Sequence, residues 1–303
     1  MIAPDPRRGA VTTTDVDDFG FDTPVQVDAF GISDVGHVRA SNEDHFLIAR
    51  IGRYFEAVGT SLPAGEVPVR TDEAGYALVV ADGMGGHAAG EVASEMCVRI
   101  LQRELLQVEF APPDATQLLA ESLRRANRAI FERTQVEVDK QGMGTTASVL
   151  LLVDGRYLIG QIGDSRVYLL RDGTLRQLTK DHSYVQEQVD AGFLTAEQAR
   201  YHPYSNVITR CVGASEGVEP DVYEGEVRSG DLFLDASDGL TGMVDDRRMQ
   251  QLLIARTVPS RMVDALIAEA NGRGGLDNIT AIVVQVVSLE PGTPELVTTQ
   301  PAR

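Results

Sequence analysis

The 303-residue sequence contains no tryptophan, and aromatic residues make up only 6% of it. Its core must therefore be mainly aliphatic. Cysteine is almost as scarce, with two residues, Cys97 and Cys211, far apart in the chain. This pair offers neither a disulfide framework nor the paired spacing of a zinc site. We therefore expect a protein of the reducing cytoplasm.

Positive charge is also in short supply. The chain has 27 Lys and Arg residues against 45 Asp and Glu, a formal net charge of −18. Nucleic-acid binding requires clustered basic residues, so this balance argues against a nucleic-acid partner. No apolar run reaches the roughly 20 residues of a membrane span. The N-terminus lacks the apolar core of a signal peptide. We therefore expect no membrane association.

Two polar ends flank a long patterned segment. Residues 1–26 and 290–303 show no apolar periodicity, which predicts a flexible N-terminal arm and a flexible C-terminal tail. Between them we find no linker composition and no internal repeat. The sequence therefore predicts one domain over residues 27–289.

The patterned segment predicts many short strands and few helices. Asp-Gly pairs at 154–155 and 172–173 predict tight hairpin turns, which join antiparallel strands. Apolar residues at helical spacing predict helices at Ala88–Leu105, Ala115–Thr134 and Arg261–Ala270. Such a mixture predicts an α+β fold with packed sheets and helices on the outside.

Four aspartates lie at the edges of strongly apolar segments. Asp82 and Asp238 each follow a predicted strand and precede glycine, Asp164 lies between two strands, and Asp277 lies just before one. A single Asp-Gly pair is common in turns. Four carboxylates that met at sheet edges, however, would repel one another unless a cation lay between them. Their hard oxygen ligands favour Mg²⁺ or Mn²⁺ over zinc, and ligand type alone leaves Ca²⁺ open.

Eight segments occur in an order that resembles one known family, the bacterial branch of the metal-dependent protein serine/threonine phosphatases, also called type 2C or PPM. The resemblance covers about residues 28–288. The segments are SDVGHVRASNED, VVADGMGGHAAGEVAS, MGTTASVLLL, IGDSRVYLL, LTKDHS, HPYSNVITRCVG, ASDGLTG and GGLDNIT. The resemblance implies a four-layer α-β-β-α sandwich, in which two antiparallel sheets are flanked by helices and the metal centre lies at one end.

The resemblance also implies a set of metal ligands. Asp82 would be catalytic and would bridge two core ions, and Gly83 would bind through its backbone carbonyl. Asp238 and Asp277 would supply the other carboxylates of the first ion. Asp164 would hold a third, weaker ion that Asp238 shares. The implied ions are Mn²⁺ or Mg²⁺.

Three further residues receive roles from the same resemblance. Glu43 and Asp44 would act on the ions through water, and Arg39 would be a catalytic residue that binds the substrate phosphate.

Two residues depart from the family pattern. Met84 stands where many eukaryotic members have the histidine that is proposed to protonate the leaving group, so the leaving-group acid is open. Asp235 stands where an apolar residue is usual, and the sequence does not decide whether it faces solvent.

The segment from Asp181 to Gly213 separates two metal-bearing motifs and is the least regular part of the domain. We predict a mobile flap beside the site, with Asn206 near the third ion. His182 follows no metal-ligand spacing and is not predicted to bind an ion.

The implied activity is metal-dependent hydrolysis of phosphoserine and phosphothreonine in proteins, by a water that bridges two ions. The implied partners are phosphorylated proteins, including serine/threonine kinases and their substrates, and the implied state is a monomer. Two alternatives stay open. One is a phosphohydrolase of a small phosphoester, and the other is an inactive binding module on the same fold. The second alternative is disfavoured because every core acid of the motif set is present.

Overall fold

Two antiparallel sheets packed face to face form the centre of the computed structural model, which describes residues 8–12, 25–56, 68–85, 88–105, 114–289 and 295–296. Within these residues, the first sheet has six strands in the order β1-β2-β12-β11-β8-β9. They are β1 (Arg8–Thr12), β2 (Val25–Asp34), β8 (Arg166–Arg171), β9 (Thr174–Gln177), β11 (Leu232–Ala236) and β12 (Ile279–Leu289).

The second sheet has seven strands in the described residues, and β4 lies at its centre. Its main path runs β10-β7-β6-β4-β13, and β3 and β5 also pair with β4. The strands are β3 (Asp44–Glu56), β4 (Pro68–Met84), β5 (Gly144–Thr145), β6 (Ala147–Val153), β7 (Arg156–Ile162), β10 (Asp221–Glu226) and β13 (Glu295–Leu296).

Helices cover the outer face of each sheet. Two long helices lie on the second sheet, and three helices lie on or beside the first. Two further short helices belong to the segment from Asp181 to Gly213. The helices are α1 (Ala88–Leu105), α2 (Asp114–Val136), α3 (Tyr184–Asp190), α4 (Ala196–Arg200), α5 (Asp238–Thr241), α6 (Asp246–Ile254) and α7 (Pro259–Gly272), together with a 3₁₀ turn at Val138–Lys140. No helix of the described chain has both the length and the apolar character needed to cross a bilayer.

Three aliphatic cores hold these four layers together. One lies between the sheets, and one lies under the helices on each outer face. Helix α2 contributes Leu119 and Leu123 from its buried stripe. Helix α2 packs closely on the second sheet because Gly160 of β7 has no side chain. A Cβ on Gly160 would lie 2.6 Å from Leu123 Cδ1. The predicted α-β-β-α sandwich is thereby confirmed.

The predicted hairpin turns are also confirmed. Asp154 and Gly155 have φ angles of 50° and 69°, as a tight turn with two left-handed residues requires. Asp172 and Gly173, with φ angles of 52° and 75°, repeat this turn between β8 and β9.

The predicted arms fall only partly within the described residues. Arg8–Thr12 of the N-terminal arm pairs with β2, and Glu295–Leu296 of the C-terminal tail pairs with β4. The domain limits at residues 27 and 289 stay predictions.

Asn127 gives a prediction about how α2 holds the chain beyond the flap segment. Its buried amide donates to the carbonyls of Ser215 and Glu216, at 3.0 and 3.2 Å, and accepts from Gly213 N at 2.7 Å. We expect Asn127→Ala to lower the free energy of unfolding by about 2 kcal/mol, since it leaves buried groups unpaired. Urea unfolding measures this loss. Arg128→Ala, at an exposed position of the same helix, is the control. Equal stability of the two variants would contradict the prediction.

Candidate metal centre

The strand ends of both sheets meet at a cavity of about 440 Å³. It lies where β4 and β11 end and where β8 and β12 begin, because antiparallel neighbours bring those ends to one edge. The cavity receives all of the predicted metal ligands and Arg39. Its lining residues are Arg39, Ala40, Ser41, Glu43, Asp82, Gly83, Met84, Gly85, Thr146, Asp164, Asn206, Ile208, Asp238, Asp277 and Asn278.

Backbone contacts hold Asp82 at the end of β4. Its N–H donates to Thr146 Oγ1 at 2.9 Å. Its carbonyl accepts from Thr146 N at 2.8 Å and from Thr145 Oγ1 at 2.9 Å. These two buried threonines therefore fix the direction in which the Asp82 side chain leaves the strand.

Gly83 follows at a point where no side chain fits. A Cβ there would clash with the carbonyl oxygens of Gly90 and Glu43. The Gly83 N–H donates to Glu43 O at 3.2 Å. Glycine thus lets the start of α1 and the segment just before β3, which carries Glu43, approach the cavity together, and its own carbonyl has no side chain beside it.

Asp238 and Asp277 come from the first sheet. Asp238 opens the short helix α5 directly after β11. Asp277 lies just before β12, where its Oδ1 accepts from Asn278 N at 2.9 Å and its Oδ2 accepts from Arg39 Nη2 at 2.6 Å. Arg39 is half exposed, with 52% of its side chain accessible. It therefore lies at the mouth of the cavity, tied to a predicted ligand.

Asn278 joins the loops around this mouth. Its Oδ1 accepts from Glu43 N at 2.8 Å, and its Nδ2 donates to Val35 O at 3.0 Å and to Ser41 O at 2.9 Å. Sequence reasoning assigned Asn278 no role. Its position next to Asp277 in a loop was the available signal, because Asn side chains often bond to nearby backbone.

The structure places the two predicted water-mediated acids differently. Glu43 lines the cavity, whereas Asp44 is buried beneath it and is 4% exposed. Asp44 Oδ2 accepts from Ser237 Oγ at 2.8 Å and from Thr280 Oγ1 at 2.7 Å. Its Oδ1 has no hydrogen-bond partner among the described residues. Asp44 therefore offers one free oxygen from below.

Asp164 lies in the loop between β7 and β8 and lines two adjoining cavities, this one and one of about 520 Å³ beneath the flap segment. Asn206 lines both cavities as well, and its nearness to a third ion stays a prediction. Asp164 is 9% exposed. Asp238 and Asp277 line both cavities as well, so Asp164 lies beside them, and its assignment to a third ion stays a prediction.

The carboxylates raise one another's pKa. Burial and then the neighbouring charges of Asp44, Asp238 and Asp164 hold the pKa of Asp82 well above its ordinary value. Burial and Asp238 do the same to the pKa of Asp164. Burial raises the pKa of Asp44 to about 7 although two hydroxyls oppose the shift. Burial, and then the charge of Asp277, raises the pKa of Asp238.

These features fit hard divalent cations. Several buried carboxylates that carry raised pKa values are a set that a cation would relieve of repulsion. The donors are oxygen atoms, as Mg²⁺ and Mn²⁺ prefer. In the described chain, however, no three acidic, histidine or cysteine side chains are arranged as a ready-made ion shell. The predicted ligands therefore share the cavity without forming a closed ion shell, and Arg39 is bonded to Asp277.

Comparison with known families assigns the chain to one of them. The protein phosphatase 2C sequence model matches residues 67–268, two thirds of the chain. The chain belongs to the protein phosphatase 2C family. The match includes Asp82, Gly83, Asp164 and Asp238 and stops short of Asp277.

Relatives of the protein phosphatase 2C type match nearly the whole domain. A serine/threonine phosphatase Stp from Listeria welshimeri is 39% identical over 218 residues, which cover 71% of this chain and 86% of that protein. The solved serine/threonine phosphatase of S. agalactiae is 34% identical, with a TM-score of 0.74 over 86% of this chain and 100% of that chain. The PstP catalytic domain, solved in complex with two manganese ions, is 36% identical, with a TM-score of 0.69 over 86% and 99%.

Proposed function

We propose that this protein phosphatase 2C member hydrolyses phosphoserine and phosphothreonine in proteins at the cavity formed by the ends of the two sheets. The observation that carries the proposal is the meeting of Asp82, Asp164, Asp238 and Asp277 in that one cavity, although they lie up to 195 positions apart in the sequence. The chain is a metal-dependent serine/threonine phosphatase by family. The roles of its individual residues are our proposal.

We propose the ligand set that the family resemblance implies. We assign two core ions, Mn²⁺ or Mg²⁺, to the Asp82 carboxylate, the Gly83 carbonyl, Asp238 and Asp277. Asp164 would share a third, weaker ion with Asp238. A pair of divalent cations supplies an activated water and offsets charge on the phosphoryl group.

The remaining residues orient and neutralise. Glu43 and Asp44 lie beside and below the core carboxylates, where they hold water in hydrogen-bonding distance of the ligands. Arg39, at the mouth, can turn its guanidinium toward a phosphate and bind two of its oxygens in parallel. Met84 lines the cavity and carries no proton to donate, so the leaving alkoxide takes its proton from water in our proposal.

We expect Arg39→Ala to weaken phosphate capture about 10- to 100-fold in kcat/KM, mainly through KM, because it removes charged hydrogen bonds. Steady-state kinetics on a phosphothreonine peptide measure the change. Arg99→Ala is the matched control, since Arg99 is also exposed and also pairs with a carboxylate at 2.6 Å. A wild-type KM for Arg39→Ala would contradict its role.

The test of the function compares substrates and ions. A phosphothreonine peptide and p-nitrophenyl phosphate are incubated with Mn²⁺, Mg²⁺, Ca²⁺ or EDTA. We expect turnover of the peptide with Mn²⁺ or Mg²⁺ and none with EDTA. Turnover confined to small phosphoesters would favour the metabolite alternative, and no turnover under any ion would favour a binding module.

Within this function we also propose a setting. The substrates would be proteins phosphorylated by serine/threonine kinases, including the kinases themselves. The protein would act in the cytoplasm as a monomer, with neither nucleic acid nor membrane as a partner, in keeping with its net charge of −18.

A further inference from the structure

The loop that carries Asp164 has a backbone conformation suited to glycine. It joins β7 to β8 through Gly163, Asp164 and Ser165. Gly163 has a φ of +107°, and a Cβ there would lie 2.6 Å from Thr146 Cγ2. Because glycine adopts many backbone conformations, the position of this loop depends on the contacts that its neighbours make.

The sandwich side of this loop is firmly bonded. Gln161 Nε2 donates to Gly163 O at 3.2 Å and to Ser165 O at 2.5 Å. The hydroxyls of Thr146 and Ser165 lie 2.8 Å apart. These contacts support the loop from beneath but leave the Gly163 N–H to a partner on the other side.

That partner is His182, at the start of the flap segment (residues 181–213). Gly163 N donates to His182 Nδ1 at 3.0 Å, and His182 N donates back to Gly163 O at 2.9 Å. His182 is 4% exposed. One residue therefore satisfies both backbone groups of the glycine that precedes Asp164.

The next contact lies on the far side of Asp164. Asp181, which is 9% exposed, accepts three bonds from Arg166, two from Nε at 2.9 and 3.1 Å and one from Nη2 at 2.6 Å. Residues 181 and 182 thus hold the loop at Gly163 and at Arg166, on either side of Asp164.

His182 is also part of the base of the flap segment. His182 O accepts from Thr209 N at 2.8 Å, and Tyr184 N donates to Val207 O at 2.8 Å. Asn206 and Ile208, which adjoin these returning residues, line the catalytic cavity. The position of the flap and the position of the Asp164 loop therefore meet at His182.

The hydrogen-bond pattern fixes the ring's tautomer. Because Nδ1 accepts from Gly163, the ring proton of the neutral form is on Nε2. Burial lowers the pKa of His182, which favours that neutral ring. Nε2 lies 3.3 Å from Asp221 Oδ2, off the line of a good hydrogen bond, and Asp221 Oδ1 pairs with Arg210 Nη1 at 2.8 Å.

We infer that His182 is a positioning residue, which through its Nδ1 holds the Gly163–Asp164 loop and couples the flap segment to the site of the third ion. This inference rests on the proposed assignment of Asp164. The ring touches neither substrate nor ion and acts through the Gly163 amide. Loss of Nδ1 as an acceptor would free the loop and misplace the Asp164 carboxylate.

Two variants separate the ring nitrogens. In His182→Asn the side-chain oxygen can take the place of Nδ1, whereas His182→Gln places its amide near the Nε2 position and leaves the Gly163 N–H without its acceptor. Amide exchange of Gly163, followed by NMR without metal, reports on the loop. Calorimetric titration with Mn²⁺ reports on the weakest ion site.

We expect His182→Gln to speed Gly163 exchange about tenfold and to weaken the weakest Mn²⁺ site about 10- to 100-fold, the range for residues that orient ligands. His182→Asn should keep both values within about threefold of wild type. Wild-type values in His182→Gln for either readout, or equal losses in both variants, would overturn the inference. Because exchange is measured without metal or substrate, its outcome is independent of whether the proposed function holds.

Discussion

Replacing Asp238 by alanine is expected to lower kcat on a phosphothreonine peptide by about 10³-fold or more, the effect of losing several kcal/mol of charge stabilisation. Asp238 lines the cavity together with Asp82, and the charge of Asp277 helps to raise its pKa after burial. We assign it to the core site and to the third ion, so its loss affects every proposed ion. A metal-dependent phosphatase cannot retain turnover without this carboxylate if the assignment is right.

Stability separates this effect from misfolding. Removing one of several mutually repelling carboxylates should leave the melting temperature in EDTA unchanged or raise it. The rise in melting temperature that Mn²⁺ gives the wild type should disappear. Asp139→Asn, at an exposed aspartate on the 3₁₀ turn, is the control and should behave as wild type. Full activity of Asp238→Ala would refute the proposed ligand set.

The second large effect concerns Asp235, in the middle of β11. Its side chain is on the same face of the strand as Phe233, toward the core between the sheets, and it is 1% exposed. Neither carboxyl oxygen has a well-formed hydrogen bond among the described residues. Burial holds its pKa well above the ordinary value, and the Ser148 hydroxyl and the Ala236 amide offset only part of the shift.

We expect Asp235→Leu to raise the free energy of unfolding by about 3 kcal/mol, because an unsatisfied polar group gives way to an apolar one. Burial raises the folded-state pKa above the unfolded value near 3.9. The wild type therefore loses stability as pH rises from about 4 toward that raised pKa. The gain in Asp235→Leu should accordingly grow as the pH rises above about 4.

Urea unfolding in EDTA at several pH values measures both parts of this prediction. Asp235→Asn is the isosteric control. This variant removes the titrating carboxyl but keeps a polar side chain. Its free energy of unfolding should therefore exceed that of the wild type only slightly near pH 4 and by more as the pH rises. A loss of stability in Asp235→Leu would show that the buried carboxyl has a stabilising partner.

Much of the fold follows from sequence periodicity. The predicted helix at Ala88–Leu105 has the observed limits, and the apolar stretch of β6 forms the strand Ala147–Val153. Strand β10 was missed because DVYEGE is an edge strand with little burial, so its apolar alternation is weak. Helix α6 was missed for a related reason, since only three of its residues are buried.

The candidate site was predictable where its signal is local. Asp82 and Asp238 can be recognised in the sequence because each lies between an apolar strand and a glycine. The sequence left open whether Asp235 faces solvent. Its two-residue spacing from Phe233 was the available signal, because residues two apart in a strand lie on the same face. The contact of His182 with Gly163 has no local signal, because it joins positions 19 apart through a loop. Arg39 was predicted to belong to the site only from the family resemblance.

The most direct test of the central claim is anomalous diffraction at the manganese edge from crystals grown with Mn²⁺. Our account predicts at least two anomalous peaks in the cavity, within about 2.5 Å of oxygens from Asp82, Gly83, Asp238 and Asp277, with Asp82 touching both. Manganese bound elsewhere, or an empty cavity in crystals of the active protein at saturating Mn²⁺, would contradict it.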